Sequence, residues 1–175
     1  KAIEESLHAH VLFFSNFEKG VDALSCAGSP LAQGDWARTT HHLTDGVADG
    51  YLAFEKDAGA LSYEANGNFP YARSSFSGGV SFWMRVDLSR DLEADFPEPF
   101  HIGKKSGNAF LWDDALIFVD FTKPPRVLRF GCYPDKREEV SDEMVTNRVI
   151  RVEGVTWKAE EWHHVAATFE NFNSG

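Results

Sequence analysis

The sequence predicts an all-β protein folded as an antiparallel sandwich or barrel. Short segments in which apolar and polar side chains alternate follow one another along the chain, as expected for strands with one buried face. Clusters of Gly, Pro, Asn and Asp separate these segments, and helical periodicity is almost absent. The 15 Phe and 5 Trp residues favour the same class, because aromatic side chains fit a pleated, half-buried surface.

The first third of the chain predicts a strand, a long loop and a hairpin. Residues 11–18 alternate with a period of two and are apolar on both faces at the start, which predicts a strand packed on both sides. Residues 20–44 are rich in Gly, Ser, Asp and Thr and predict a loop. Residues 50–56 and 60–64 predict two short strands, joined as a hairpin through residues 57–59.

Residues 80–87 give the clearest strand signal in the chain. One face carries Val80, Phe82, Met84 and Val86, and the other carries Ser81, Trp83, Arg85 and Asp87. This alternation predicts a strand with one buried face. We expect Trp83, in mid-strand, and Trp162, at the start of a later strand, to pack in the core, because most Trp side chains are largely buried.

The second half of the chain predicts the remaining strands. These strands cover residues 100–104, 108–112, 115–121, 127–133, 148–155 and 163–170. Lys123-Pro124-Pro125 predicts a hairpin turn, because proline fixes φ and cannot donate to a strand ladder. The acidic residues 89–99 and the charged residues 134–146 predict loops.

Length and charge limit the organisation and the partners of the chain. We expect residues 1–10 to be a lead-in or linker and residues 11–175 to form one domain. The chain opens on Lys1, so we expect it to be part of a larger polypeptide. A net charge of −10 repels phosphate backbones, which excludes nucleic acid as a partner. No apolar run approaches the ~20 residues of a membrane helix, so membrane insertion is not expected.

The two cysteines leave two interpretations open. Cys26 and Cys132 form no CxxC motif and show no zinc-type spacing with histidine. They either form one disulfide, which an oxidising compartment would favour, or stay as free thiols buried in the core.

Three segments resemble a known family. Residues 79–85 (GVSFWMR) resemble the G-T-I-S-F-W-V-K strand of concanavalin A-like, laminin-G-type (pentraxin-like) domains. Residues 162–166 (WHHVA) resemble the W-H-H-V-A strand of that family, in the same order along the chain. Residues 10–18 (HVLFFSNFE) resemble its first strand, which often has the sequence L-x-F-D-F-E.

The resemblance implies a jelly roll of two curved antiparallel sheets. Members bind carbohydrates or proteins, often with calcium, which implies an extracellular, periplasmic or cell-surface location. They usually continue beyond the W-H-H-V-A strand through an L-Y-V-D-G hairpin to closing strands. Because this sequence ends at Gly175, we expect the sandwich to lack its C-terminal strands and to leave an open hydrogen-bonding edge, unless another segment fills the gap.

Asp113 and Asp114 are the candidate calcium ligands. Members of the family often place a calcium-ligating Asp just before a strand, and Asp114 matches this position loosely, with Asp113 as second choice. Calcium takes about six to eight oxygen ligands, and the alternative interpretation is a tight Asp-Asp turn between two strands. A second candidate group consists of Asn16, Glu18 and Asp22.

Sugar binding requires exposed aromatic faces beside hydrogen-bonding groups. Trp36, Trp112 and Tyr133 lie near predicted loops or strand ends, and Asn108 and Asp113 supply hydrogen-bonding groups close to Trp112. These five residues are the candidate ligand-binding residues. The alternative for each aromatic side chain is burial in the core.

A catalytic motif is present in an unsuitable context. Glu93, Asp95 and Glu98 match the E-x-D-x-x-E motif of retaining glucanases in the same superfamily, where it lies on a central strand. Pro97 and Pro99 are incompatible with a central strand, so we prefer an acidic loop.

Two histidine pairs are interpreted as structural. His163 and His164 are adjacent in a predicted strand and therefore face opposite sides, so the pair cannot chelate one ion. The same interpretation covers His41 and His42, in or beside the predicted loop.

The predicted function is a non-catalytic carbohydrate-binding or adhesion module of a larger exported protein. Calcium is the candidate cofactor, and a carbohydrate or a protein is the expected ligand. Two alternatives stay open: a glycoside hydrolase of the same superfamily, and a structural or protein–protein interaction module without a ligand groove.

Overall fold

The computed structural model describes residues 9–34, 37–71, 75–92, 95–106, 109–132 and 141–172, with the backbone alone at 104–106, 109–114, 142, 144 and 145. Over these residues the chain forms twelve strands and one short helix, arranged in several antiparallel sheets. The all-β class is confirmed. The chain divides into two compact units, Lys1–Phe76 and Ser77–Gly175. Within the described ranges, no helix has the length and apolar character needed to cross a membrane.

The first unit is built from three two-stranded ribbons. In these ribbons β1 pairs with β2, β3 with β6 and β4 with β5, each pair antiparallel. The strands are β1 (Phe13–Phe14), β2 (Ser25–Cys26), β3 (Ala32–Gln33), β4 (Thr39–Gly46), β5 (Asp49–Phe54) and β6 (Ser62–Tyr63). Four of these six strands have two residues each, so turns and side-chain hydrogen bonds hold much of this unit.

The hairpin predicted at residues 57–59 is wrong. β5 pairs with β4 across the two-residue connection between Gly46 and Asp49, and β6 pairs with β3. Asp45 and Asp49 have φ values of 70° and 94°, the left-handed region that Asp tolerates better than most residues. Two-residue connections are the commonest hairpin loops, and residues 47–48 form such a connection between β4 and β5.

The loop predicted over residues 20–44 is wrong in part. It contains β2, β3 and most of β4, so His41 and His42 lie in a strand. The His42 ring stacks on Tyr51 with the ring centroids 4.5 Å apart, and His41 donates from Nε2 to the Phe17 carbonyl. Both imidazoles therefore make contacts that hold this part of the chain together.

The strand predicted over residues 11–18 is shorter and is not packed on both sides. β1 covers two residues, and the side chains of Leu12 and Phe14 are exposed. Backbone hydrogen bonds from Leu24 to Phe14 and from Ala27 to Leu12 hold it against the following turn.

Asn68 is the polar anchor of the first unit. Its side chain is buried, and its Oδ1 accepts from the Gly28 amide at 2.7 Å. Its Nδ2 donates to the carbonyls of Ser29 and Glu64, at 2.8 and 2.9 Å. A Cβ atom at Gly28 would lie 2.9 Å from the Asn66 carbonyl oxygen, so the two turns approach too closely for any other residue there.

The second unit holds a four-stranded sheet and a two-stranded ribbon. The strands are β7 (Phe76–Met84), β8 (Phe100–Ser106), β9 (Ala109–Phe121), β10 (Leu128–Gly131), β11 (Val149–Val152) and β12 (His163–Phe172), with helix α1 (Asp142–Asn147) before β11. The sheet has the order β11-β10-β9-β8, and β12 pairs with β7. The predicted hairpin of β9 and β10 is confirmed, whereas α1 was not expected from the sequence.

The tight turn predicted at Asp113 and Asp114 is wrong, because β9 runs through both residues as one strand. An irregularity does lie there. From Gly103 to Lys105 β8 advances two residues, while its partner positions on β9 run from Ala115 to Phe110, five residues. The surplus residues make the pairing with β8 irregular, so the junction predicted from the sequence interrupts the ladder without ending the strand.

The core of the second unit forms around β9. Side chains from Ala115 to Phe121 are all buried, and Phe121 has no exposed surface. Phe121 packs with Val86 and Leu88, and the Trp157 ring meets the Phe121 ring edge to face with centroids 5.7 Å apart. A strand buried on both faces is expected in the interior of a sheet.

One buried charge pair lies within this core. Asp120 and Arg129 are directly opposite each other on β9 and β10. The Arg129 guanidinium donates through Nε to Asp120 Oδ1 at 2.8 Å and through a terminal nitrogen to Oδ2, a bidentate arrangement. Both side chains are largely buried, so each charge needs the other.

The two cysteines are free thiols. Cys26 donates from Sγ to the Gly28 carbonyl at 3.1 Å. Burial raises the pKa of the Cys132 thiol, which keeps that side chain protonated and unreactive.

Replacing Asp120 by Ala is expected to lower the free energy of unfolding by about 3–5 kcal/mol, because the Arg129 charge then stays buried without its carboxylate. Denaturant titration measures the loss. The double variant Asp120→Leu/Arg129→Met removes both charges and is expected to recover most of it. A double variant as unstable as Asp120→Ala would contradict the charge-pair account.

Candidate functional site

The β7–β12 ribbon has one apolar face and one polar, aromatic face. Val80, Phe82 and Met84 are partly buried, whereas Ser81 and Trp83 between them are exposed. On β12 the same alternation buries Val165 and exposes its neighbours. This confirms the period of two predicted for both strands.

The solvent-facing side of this ribbon, called the ribbon face below, consists of Ser81, Trp83, Arg85, Trp162 and His164. Its cross-strand contacts join Ser81 to His164 and Arg85 to Trp162. Residue numbers therefore rise along β7 while the numbers of the contacting residues fall along β12, as in an antiparallel pair. Side chains on one face of such a pair are close enough to act together.

Trp83 is the central side chain of the ribbon face. It is 50% exposed and lies one residue before the end of β7, and indole side chains are on average more buried than this. The His164 ring lies 4.8 Å from it between centroids, tilted by 31°. His164 Nε2 is 2.7 Å from Ser81 Oγ, so this hydrogen bond fixes the imidazole beside the indole. The prediction that Trp83 packs in the core is wrong.

Arg85 and Trp162 lie at the other end of the ribbon face. The Arg85 guanidinium carbon lies 4.9 Å from the centroid of the Trp162 ring, the geometry of a cation–π contact. Both side chains are half-buried. Because the indole face is covered by the guanidinium, Trp162 has less free aromatic surface than Trp83.

The turn after β7 brings negative charge to the same end of the ribbon. The Asp87 carboxylate accepts hydrogen bonds from the Ser89 hydroxyl and amide, at 2.6 and 2.9 Å, and these bonds hold the pKa of Asp87 below its usual value. The Arg90 guanidinium in the same way lowers the pKa of Asp91. Both carboxylates therefore stay ionised and are engaged within the turn.

His163 faces the opposite side from His164, as predicted. Its ring stacks on Trp157 with centroids 4.5 Å apart and an interplanar angle of 6°. Trp157 in turn contacts Phe121, so His163 belongs to the packed side of the ribbon. The two adjacent imidazoles cannot bind one ion, because the strand directs them to opposite faces.

The structure describes the side chain of none of the five sugar-binding residues predicted from the sequence. Trp36, Asn108 and Tyr133 lie outside the described residues, and Trp112 and Asp113 lie in β9 where the backbone alone is described. Their role therefore stays a prediction. The sequence analysis missed the ribbon face because it assigned both tryptophans to the core. Strand alternation alone puts Trp83 on one face of β7 and Val80 and Phe82 on the other.

The predicted calcium ligands Asp113 and Asp114 also lie in this part of β9. Among the residues that the structure describes, no cluster of three or more His, Cys, Asp or Glu side chains has the geometry to hold a metal ion. Asp113 and Asp114 lie in the segment of β9 where its pairing with β8 changes register.

The second candidate calcium group is only partly assembled. Asn16 and Asp22 line a surface cleft of about 230 Å³ together with Lys19, whereas Glu18 is not part of its lining. Asp22 Oδ1 accepts from the Ala32 amide at 2.9 Å, and Asn16 Oδ1 accepts from the Glu18 amide. These oxygens support the turns of the first unit, and the Lys19 ammonium disfavours a second cation in the cleft.

The two described carboxylates of the E-x-D-x-x-E motif contact different basic side chains. Glu93 lies outside the described residues. The Lys123 ammonium is 2.7 Å from Asp95 Oδ2, and His101 Nδ1 is 3.1 Å from Glu98 Oε1. Residues 95–99 form no strand, so the loop interpretation is confirmed for this part of the motif.

Comparison of the chain with family models, curated proteins and solved structures finds no match. The function is therefore inferred from the ribbon face and its side chains.

Trp83 is expected to react with N-bromosuccinimide before Trp157 does, because the reagent reaches an exposed indole more readily than one packed between Phe121 and His163. Limited oxidation followed by peptide mass analysis measures both sites in the same molecules. Equal or faster oxidation of Trp157 would show that the ribbon face is covered.

Proposed function

We propose that this chain is a non-catalytic carbohydrate-binding module whose ligand packs on the ribbon face. The observation that supports the proposal is the half-exposed Trp83 indole, flanked by the hydrogen-bonded pair of Ser81 and His164. A strand pair presents these groups side by side on one surface, which suits a sugar ring or an extended glycan chain.

The ribbon face has contact groups for both the apolar C–H groups and the hydroxyl groups of a pyranose ring. The C–H groups of the sugar are apolar and cover an aromatic ring, while its hydroxyl groups exchange hydrogen bonds with the Ser81 hydroxyl and the His164 imidazole. Covering about 100 Å² of the exposed indole contributes about 2.5 kcal/mol before the cost of association. That cost makes binding to a single site weak, so affinity grows with the number of sugar units that contact the face.

The two described carboxylates of the E-x-D-x-x-E motif favour a binding role over hydrolysis by this motif. Glycoside hydrolysis by the common mechanisms requires two carboxyl groups facing each other across the scissile bond, about 5 Å apart in retaining enzymes. Asp95 is paired with Lys123, and Glu98 is paired with His101. Both groups are engaged within a loop rather than directed at a common cleft.

We also propose that the strands of this chain form a jelly roll of the concanavalin A-like, laminin-G-like kind. Two of the segments that carry the resemblance coincide with β7 and β12, and these two strands are paired. The same resemblance supports an exported location, at the cell surface or outside the cell, as a module of a larger polypeptide.

An adhesion module that binds protein is the second candidate. Leu12, Phe14 and Leu24 are exposed apolar side chains in the first unit, and the Leu24 amide donates to the Phe14 carbonyl. Neighbouring exposed apolar side chains are typical of protein-binding surfaces. Absence of glycan binding in the experiment below would favour this candidate.

Replacing Trp83 by Ala is expected to raise the Kd for a bound glycan at least about tenfold, because the main apolar contact is lost. A panel of neutral and acidic polysaccharides identifies the ligand, and calorimetry measures the Kd. Phe54→Ala is the matched control, since Phe54 is also an aromatic side chain about half exposed, at 55%, but lies on β5, outside the ribbon face. Equal losses in the two variants, or no binding to any glycan, would contradict the proposal.

We also propose calcium as a cofactor at Asp113 and Asp114, because carboxylate oxygens are the ligands that calcium prefers. Calcium is expected to raise the melting temperature of the wild-type chain, and a chelator to reverse the rise, because an ion that binds only the folded state stabilises it. Asp114→Asn is expected to remove this response. A melting temperature indifferent to calcium in the wild type would contradict the proposal.

A further inference from the structure

The surface cleft of the first unit, called the Lys19 cleft below, contains a cation without a partner. The segment from Asn16 to Leu24 lines this cleft, whose volume is about 230 Å³. The Lys19 ammonium makes no hydrogen bond or ion pair with any residue that the structure describes. Pockets for drug-sized ligands measure about 300–1,000 Å³, so a cleft of this size suits one small chemical group. An unpaired ammonium favours a group that carries negative charge.

Contacts from outside the segment hold the walls of the Lys19 cleft. Asp22 Oδ1 accepts from the Ala32 amide at 2.9 Å, and the Tyr63 hydroxyl donates to the Val21 carbonyl. A Cβ atom at Gly20 would meet nothing within 4 Å, so the space beside this residue is open. The cleft therefore exists before a ligand binds, which reduces the ordering cost of association.

The groups that line the Lys19 cleft complement more than a negative charge. Asn16 Oδ1 is engaged by a backbone amide, which leaves Nδ2 as a donor. Asp22 uses Oδ1 for a backbone amide, which leaves Oδ2 as an acceptor. Val21 and Leu24 contribute apolar surface. The cleft thus offers a cation, an amide donor, a carboxylate acceptor and apolar contact within one short segment.

An exposed apolar strip, formed by Leu12, Phe14 and Leu24, adjoins the Lys19 cleft. Leu24 lines the cleft, and its amide donates to the Phe14 carbonyl at 2.9 Å. Leu12 lies two residues before Phe14, and all three side chains are exposed. A ligand whose charged end occupies the cleft can therefore extend an apolar part over the strip.

We propose that the Lys19 cleft binds the C-terminal residue of a polypeptide whose last side chain is apolar. The terminal carboxylate pairs with the Lys19 ammonium, and the N–H of the last residue donates to Asp22 Oδ2. The last side chain packs against Val21 and Leu24, and the preceding residue covers the apolar strip. This inference names the ligand of the protein-binding candidate above. It does not depend on the ribbon face, because every residue involved belongs to the first unit.

The charges around the Lys19 cleft disfavour more acidic ligands. Asp22 lines the cleft, Glu18 precedes Lys19 in the sequence, and the whole chain has a net charge of −10. A phosphate group carries about −1.5 to −2 charges at pH 7, which one ammonium compensates only in part. A carboxylate carries a single charge. A free sugar acid has the same charge, but its hydroxyl groups gain nothing from the apolar strip.

Fluorescence anisotropy of a labelled pentapeptide that ends in Val-Leu with a free carboxylate tests the proposal on the purified chain. Because the contact is small, the expected Kd is about 0.1–1 mM. The same peptide with a C-terminal amide is expected to bind at least about tenfold more weakly, because it has no anion for the Lys19 ammonium. Glucuronate, a sugar acid, is expected to compete only at concentrations at least about tenfold higher than the unlabelled peptide.

Two lysine variants separate a local contact from general electrostatic attraction. Lys19→Met keeps an unbranched apolar side chain without the charge, and it is expected to weaken binding of the free-carboxylate peptide at least about tenfold. Lys158→Met is the matched control, because it removes the charge of another exposed lysine, in the second unit. It is expected to leave the Kd within about twofold of wild type. Circular dichroism checks that both variants are folded.

Four outcomes would overturn the proposal: no peptide binding to the wild-type chain up to about 10 mM, equal binding of the amidated peptide, equal losses in Lys19→Met and Lys158→Met, or competition by glucuronate at the concentration of the peptide. None of these outcomes bears on the glycan experiment with Trp83→Ala, because the two experiments use different ligands and different residues.

Discussion

The burial of β9 on both faces is the constraint on which the second unit depends. From Ala115 to Phe121 the strand has almost no exposed surface, so every polar group in it needs a partner. Asp120 finds that partner in Arg129 on the neighbouring strand. The Arg129 guanidinium also lies over the Phe96 ring, which connects the buried pair to the loop before β8. The charge pair thereby fixes strand register and loop position together.

The same core determines what the ribbon presents to solvent. Met84 and Val86 belong to, or pack against, the cluster around Phe121, and Trp157 extends that cluster to His163 at the start of β12. Once these side chains face inward, the alternation of the strands directs Trp83 and His164 outward. The surface that we propose for sugar binding is therefore a consequence of core packing. Its orientation would not survive a one-residue slip of either strand.

The first unit relies on a different kind of stabilisation. Most of its strands are two residues long, so strand ladders supply little of its cohesion. Buried Asn68 instead ties two turns together through three hydrogen bonds, and His41 ties the Phe17 turn to β4. All but the bond from Asn68 to Glu64 join residues that are distant in sequence, and no local pattern encodes those long-range bonds. For this reason the loop and the hairpin predicted there were wrong, whereas the regular strands of the second unit were predicted well.

The sequence by itself determined the all-β class, the two alternating strands that became β7 and β12, and the proline hairpin between β9 and β10, because periodicity and turn chemistry are local properties. It did not reveal that β9 runs through Asp113 and Asp114, or that β5 pairs with β4, because pairing partners are chosen by long-range packing. The exposure of Trp83 also depended on tertiary structure. Alternation states that two faces differ, but only the position of the core decides which face is covered.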